Sequence, residues 1–138
     1  MKKTLLFLLL SIFCVSFTFA ISDKQQVENV IHEFQDAINC YDKDRVKNVF
    51  EDKTSFDNAF ELFDIYYAMN LSVYIEFGIL ETKIANNLAE VTAKMYTKIS
   101  PKSETLECEL FEPQMFNILF ELRKNNGIWK IVDRKPLD

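Results

Sequence analysis

Residues Met115 to Asp133 read MFNILFELRKNNGIWKIVD, and this stretch decides the architecture. Phe116, Ile118, Phe120 and Leu122 alternate with Asn117, Leu119, Glu121 and Arg123, the period-two pattern of a strand with one buried face. Asn125, Asn126 and Gly127 follow, and these residue types tolerate the positive φ of a tight turn. Beyond the turn, Ile128 to Val132 is apolar around Lys130, with the single tryptophan, Trp129, in its interior. Two strands joined in this way make a hairpin. A lone hairpin is at best marginally stable in water, so the chain upstream must supply further strands and the helices that cover them.

Working outward, the segment before the hairpin keeps the same period. Leu106, Cys108 and Leu110 alternate with Glu107 and Glu109 before Pro113 interrupts. Ala89, Val91, Ala93, Met95, Thr97 and Ile99 alternate with Glu90, Thr92, Lys94, Tyr96 and Lys98, and Pro101 ends that strand because it has no N–H to donate. Asn86-Asn87 is a turn candidate, preceded by Leu71, Val73, Ile75, Phe77 and Ile79 alternating with Ser72, Tyr74, Glu76 and Gly78.

Further upstream the period becomes helical. Ser22 with Gln25 is a capping-box signature, and Val27, Val30, Ile31, Phe34, Ala37, Ile38 and Tyr41 form one apolar stripe. His32, Asp36 and Asn39 fall on the far side of it. Asp42 reads as the N-cap of a short helix through Asp52, with Val46, Val49 and Phe50 inward. Thr54 or Ser55 is expected to open a third helix that buries Phe56, Ala59, Phe60, Phe63, Tyr66 and Tyr67.

Three helices followed by antiparallel strands predict an α+β fold, with N-terminal helices packed on a curved antiparallel sheet. Two phrases, FQDAINCYDKDRVKNVFED and FELRKNNGIWKIVD, together with this order, resemble the nuclear transport factor 2-like superfamily, a cone-shaped α+β roll. A cystatin-like arrangement, one helix on a sheet, is the rival. The superfamily includes ketosteroid isomerase-like, polyketide (SnoaL-like) cyclase-like and scytalone dehydratase-like enzymes, as well as members that only bind or dimerise.

The first twenty residues, MKKTLLFLLLSIFCVSFTFA, have the form of a signal peptide: Lys2 and Lys3, an uncharged apolar run, then small residues at Thr18 and Ala20. The expected division is a signal peptide over 1–20 and one domain over 21–138. The expected location is outside the cytoplasm, periplasmic or secreted, with no membrane association after cleavage. Without Lys2 and Lys3 the chain carries 14 basic and 21 acidic residues, a formal charge of −7. Such a surface repels nucleic-acid phosphates and anionic lipid. Cys40 and Cys108 remain, as candidates for a disulfide in a compartment that permits one.

Isomerase-type relatives need a carboxylate base and acid donors in an apolar cone. The resemblance places Phe34 where those relatives carry a tyrosine donor, and Ile118 where they carry a protonated aspartate. The base would fall near Asp57 or Asn58. That chemistry is therefore disfavoured. His32, the only histidine, is expected on the surface, and no second histidine or cysteine cluster supports a metal site. Cys108, flanked in register by Leu106 and Leu110, reads as a buried thiol or half of a disulfide, and Glu107 and Glu109 as a solvated face. With only Gly78 and Gly127 the chain has no glycine-rich phosphate cradle, and no cofactor is expected.

The inward positions are apolar and aromatic. Phe34, Phe56, Phe60, Phe63 and Tyr66 on the helices could line a cone with Phe77, Met95, Thr97, Phe120 and Trp129 on the strands. The same residues would equally serve as plain core. On the opposite sheet face, Tyr74, Tyr96, Met115, Leu119, Ile128 and Val132 form an apolar set fit for homodimerisation. The resulting expectation is an exported, non-catalytic module that binds a small apolar ligand or a protein partner. The alternative is a cyclase-, dehydratase- or isomerase-type enzyme with an unfamiliar residue set.

Overall fold

The computed structural model describes residues 21–102 and 112–137. Three helices, α1 (Asp23–Asn39), α2 (Lys43–Val49) and α3 (Lys53–Ala68), precede four strands, β1 (Leu71–Ala85), β2 (Leu88–Pro101), β3 (Gln114–Asn125) and β4 (Ile128–Leu137). The strands form one antiparallel sheet in the order β1-β2-β3-β4. The fold is thus α+β, with the helices on one face of the sheet. The strand expected over Leu106–Leu110 lies outside the described residues.

Capping sets the helix starts. The Ser22 hydroxyl accepts the Gln25 N–H at 3.3 Å, and Asp42 accepts the Arg45 N–H at 3.1 Å. The third helix is opened by Asp52, not by Thr54 or Ser55. Its carboxylate accepts the Ser55 N–H at 2.8 Å, and aspartate is a stronger cap than threonine. The second helix is correspondingly shorter than expected. It stops at Val49 because Phe50 turns extended and bridges Ile131 of β4, with the Glu51 N–H donating to the Ile131 carbonyl at 2.9 Å.

The two hairpins are tight. Asn126 (φ 51°) and Gly127 (φ 81°) both take the positive φ that a two-residue turn between twisted strands requires. Asn86 (φ 55°) does so at the β1–β2 turn. The β1–β2 register shifts between Ile79 and Glu81, and the β3–β4 register shifts opposite Glu121 and Leu122. Leu80 and Val132 are the extra residues. Each bulge resets which residues face inward.

Both outer strands are covered along part of their length. Along β1, the Asn39 side chain donates to the Ile75 carbonyl and accepts the Ile75 N–H, both at 2.8 Å. Gln35 accepts the Phe77 N–H at 2.7 Å, and Glu28 accepts the Thr82 hydroxyl at 2.8 Å. Asn39 therefore belongs to the sheet-facing side of α1, unlike exposed His32 and Asp36. Along β4, the Ser55 hydroxyl donates to the Val132 carbonyl at 2.8 Å. Asn39, Gln35 and Ser55 thereby occupy backbone groups that would otherwise invite another strand.

The core lies between helices and sheet. Val27, Ile31, Phe34, Ala37 and Ile38 of α1 meet Ile75, Phe77, Val91, Ala93, Met95, Ile118, Phe120, Leu122, Trp129 and Ile131. Phe34 is its centre, with ring centroids 5.5 Å from Phe50, 5.9 Å from Phe77 and 6.1 Å from Phe120. Trp129 is 3% exposed, and its indole N–H points at Asp23, which also accepts from Lys124 at 2.6 Å. The last hairpin is thereby fastened to the start of α1.

Candidate functional site

Arg134 is the residue around which the site is built. It pairs in register with Phe120, a core residue, so its side chain projects to the inner face of the sheet. The bulge at Val132 puts it there: Ile131 pairs with inward Leu122, and Asp133 then pairs with Glu121 on the outer face. The Arg134 guanidinium crosses to the helices, donating from Nη2 to the Ala59 carbonyl of α3 at 2.8 Å. Its central carbon lies 5.9 Å from the ring centroids of both Phe34 and Phe63. Burial pulls its pKa down, opposed by the adjacent Asp133 carboxylate, but an arginine stays protonated at any physiological pH. Among the described residues it forms no ion pair.

Beside it opens a cavity of about 440 Å³ between α3 and the ends of β3 and β4. Phe50, Ala59, Phe116, Ile118 and Pro136 give it apolar walls, and Ser55, Asn58, Asp133 and Arg134 are its polar residues. Asp133 is exposed and accepts the Arg134 backbone N–H at 2.8 Å. The cavity is of the size and composition of small-molecule sites.

A larger groove, about 790 Å³, runs along the other side of α3 from Tyr41 and Lys43 to Ala68. Its charged groups partly satisfy one another. Asp64 accepts the Tyr41 hydroxyl at 2.5 Å and the Lys43 ammonium at 2.7 Å, which lowers the Asp64 pKa and raises that of Tyr41 to about 12. The smaller cavity is chemically the more distinctive, because its cation faces aromatic rings and one neutral carbonyl.

The residues singled out by sequence fall into three groups. Phe34, Phe77, Met95, Phe120 and Trp129 sit in the closed core. Phe56 and Phe60 are largely buried but contribute to the wall of the larger groove, and Phe63 lies beneath Arg134. Tyr66 is half-buried on α3, and Thr97 on β2 has a buried hydroxyl without a hydrogen-bond partner among the described residues. Phe34 and Ile118, at the isomerase donor positions, are fully or almost fully buried, and Asp57 and Asn58 are exposed. His32 is on the surface, as its position on the helical wheel predicts.

On the outer face, Tyr74 and Tyr96 meet edge-to-face at 6.4 Å, and Tyr96 pairs with Met115. Leu119 is bracketed by Thr92 and Lys135. Ile128 pairs with Asn125 at the hairpin end, well away from these, and Val132 is the half-buried bulge residue. Cys40 is exposed at the end of α1, and Cys108 lies outside the described residues. Among the described residues no group of acidic, histidine or cysteine side chains is placed to hold a metal, and no helix is long and apolar enough to cross a membrane.

At the level of sequence, no family model and no curated protein matches. Solved structures do match in shape. An NTF-2 like protein of unknown function from Shewanella oneidensis is 14% identical, with a TM-score of 0.64, over 85% of this chain and 100% of that one. A ketosteroid isomerase-like protein from Erwinia carotovora atroseptica is 15% identical, with a TM-score of 0.63, over 85% and 98%. The intermembrane space region of the chloroplast protein ARC6 is 13% identical, with a TM-score of 0.63, over 84% and 97%. With helices packed on a four-stranded antiparallel sheet and such neighbours spanning most of it, the chain has the nuclear transport factor 2-like fold.

Proposed function

We propose that this protein is an exported, non-catalytic module that holds a small, largely apolar ligand in the cavity between α3 and the ends of β3 and β4. The observation that carries the reading is that cavity: about 440 Å³, with mainly apolar walls and, among the described residues, one cation, Arg134. The isomerase donor positions are occupied by Phe34 and Ile118, which cannot donate a proton, and Asp57 and Asn58 are exposed. This supports binding over the cyclase, dehydratase or isomerase alternative. Export rests on the first twenty residues of the sequence. Homodimerisation through Tyr74, Tyr96, Met115 and Leu119 completes the proposal, since these residues lie on one sheet face at neighbouring register positions.

Nile red, a neutral apolar dye, tests the cavity. The wild-type protein should enhance its fluorescence saturably. Ala59→Leu, which adds bulk to the cavity wall, should abolish the signal while circular dichroism remains native. Absence of binding, or equal binding by the filled variant, would refute the reading.

A further inference from the structure

We infer that the ligand of this cavity is an apolar carboxylate, its head held by the Arg134 guanidinium and its tail by Phe116, Ile118 and Pro136; the inference rests on the binding role proposed above. A guanidinium has five N–H donors, and among the described residues the one hydrogen bond that Arg134 makes from its side chain goes to the Ala59 carbonyl. The rings of Phe34 and Phe63 offer their faces to the cation but accept no bidentate bond. A half-buried charge with such partial compensation gains from a partner that completes it. A carboxylate does so with the fork-to-fork geometry that arginine matches better than any other side chain.

Asp133, which also lines the cavity, is the obvious competitor, but among the described residues its carboxylate bonds the Arg134 backbone and not the guanidinium. The bulge turns it to the outer face, opposite Glu121, where its carboxylate accepts the Arg134 backbone N–H and stays exposed. The nearest anion thus stays at the exposed rim of the cavity, close enough to act on Arg134 through space but, among the described residues, without an ion pair to its guanidinium. Ser55 donates its hydroxyl to the Val132 carbonyl, so it too is committed. The cavity therefore offers one unsaturated cationic fork above an apolar floor, which selects a monoanion with a hydrophobic tail over a polyanion such as a phosphate ester.

The test is calorimetric titration of octanoate and octanol, which share a chain length and differ in charge. The wild-type protein should bind octanoate about tenfold or more tightly than octanol, the scale of one charge-assisted pair. Arg134→Met should erase that preference, bringing octanoate and octanol to equal affinity. Arg134→Lys should restore only part of it, because an ammonium cannot form the fork. The wild-type preference is informative even if a variant misfolds. Equal binding of octanoate and octanol by the wild type would overturn the carboxylate assignment and leave the apolar cavity standing. Failure to bind either would overturn both.

Discussion

Replacing Asn39 by alanine tests how the sheet is closed on its β1 side. The Asn39 amide satisfies both the N–H and the carbonyl of Ile75 at 2.8 Å, and Ile75 itself is fully buried. Alanine leaves both backbone groups without a partner, at about 1–3 kcal/mol each where water is excluded. Water can reach the margin of a half-buried side chain, and alanine gains a few tenths of a kcal/mol in helix propensity. The net loss should then be about 1.5–3 kcal/mol, a large part of the 5–15 kcal/mol typical of a domain. Asn39→Asp should not rescue it, because a carboxylate can accept the N–H but repels the carbonyl. Urea unfolding gives the free energy, and amide hydrogen exchange gives the location: protection at Ile75 should fall, while Val91, within the sheet, changes only with global stability. A loss under about 0.5 kcal/mol with Ile75 protection unchanged would refute the reasoning.

Trp129→Ala should cost about 3–5 kcal/mol in urea unfolding, since the ring is 3% exposed and anchors the hairpin to Asp23; a loss below about 1 kcal/mol would mean that the ring packs loosely. Tyr41 should titrate by ultraviolet absorbance near pH 12, with the Asp64 carboxylate that accepts its hydroxyl as the main cause. Because that folded-state value lies above the usual 10, its stabilising contribution is complete below pH 10 and is lost as the pH rises through about 12; Asp64→Asn should bring the transition back toward 10. Leu119→Lys should leave the fold intact and convert a dimer to a monomer by light scattering, and a wild type that is already monomeric at tens of micromolar, a concentration chosen as stringent, would end the dimer proposal.

What could be read from sequence was whatever repeats. The α1 stripe from Val27 to Ile38 and the β2 alternation from Ala89 to Met95 are buried where their periods put them, because a face buried along its length imposes its period on composition. Single polar atoms with a structural task left no such trace. Asn39 looks like a solvent residue on a helical wheel, yet it binds the β1 backbone, because the helix lies along the strand and a short amide at its flank reaches across. In the sequence Asp52 does not stand out as a cap, because Thr54 and Ser55 follow it. Only the return of Phe50 to Ile131 ends the preceding helix early enough to leave Asp52 in place.

The site itself was hidden by one residue. Strict alternation through Trp129 and Ile131 would carry Asp133 inward and Arg134 outward. Insertion of Val132 reverses that assignment. Two bonds hold the reversal: the Ile131 carbonyl accepts the N–H of Glu51, between α2 and α3, and the Val132 carbonyl accepts the hydroxyl of Ser55, in the first turn of α3. Carbonyls displaced from the ladder by a bulge need partners, and here the start of α3 provides them. The alternative would put a short carboxylate against Phe120 and Phe34, where it has neither reach nor donor. Arginine instead lays its methylenes on apolar surface and carries its charge across to Ala59 and the cavity. The bulge therefore does more than bend the strand. It chooses which sign of charge enters the cone.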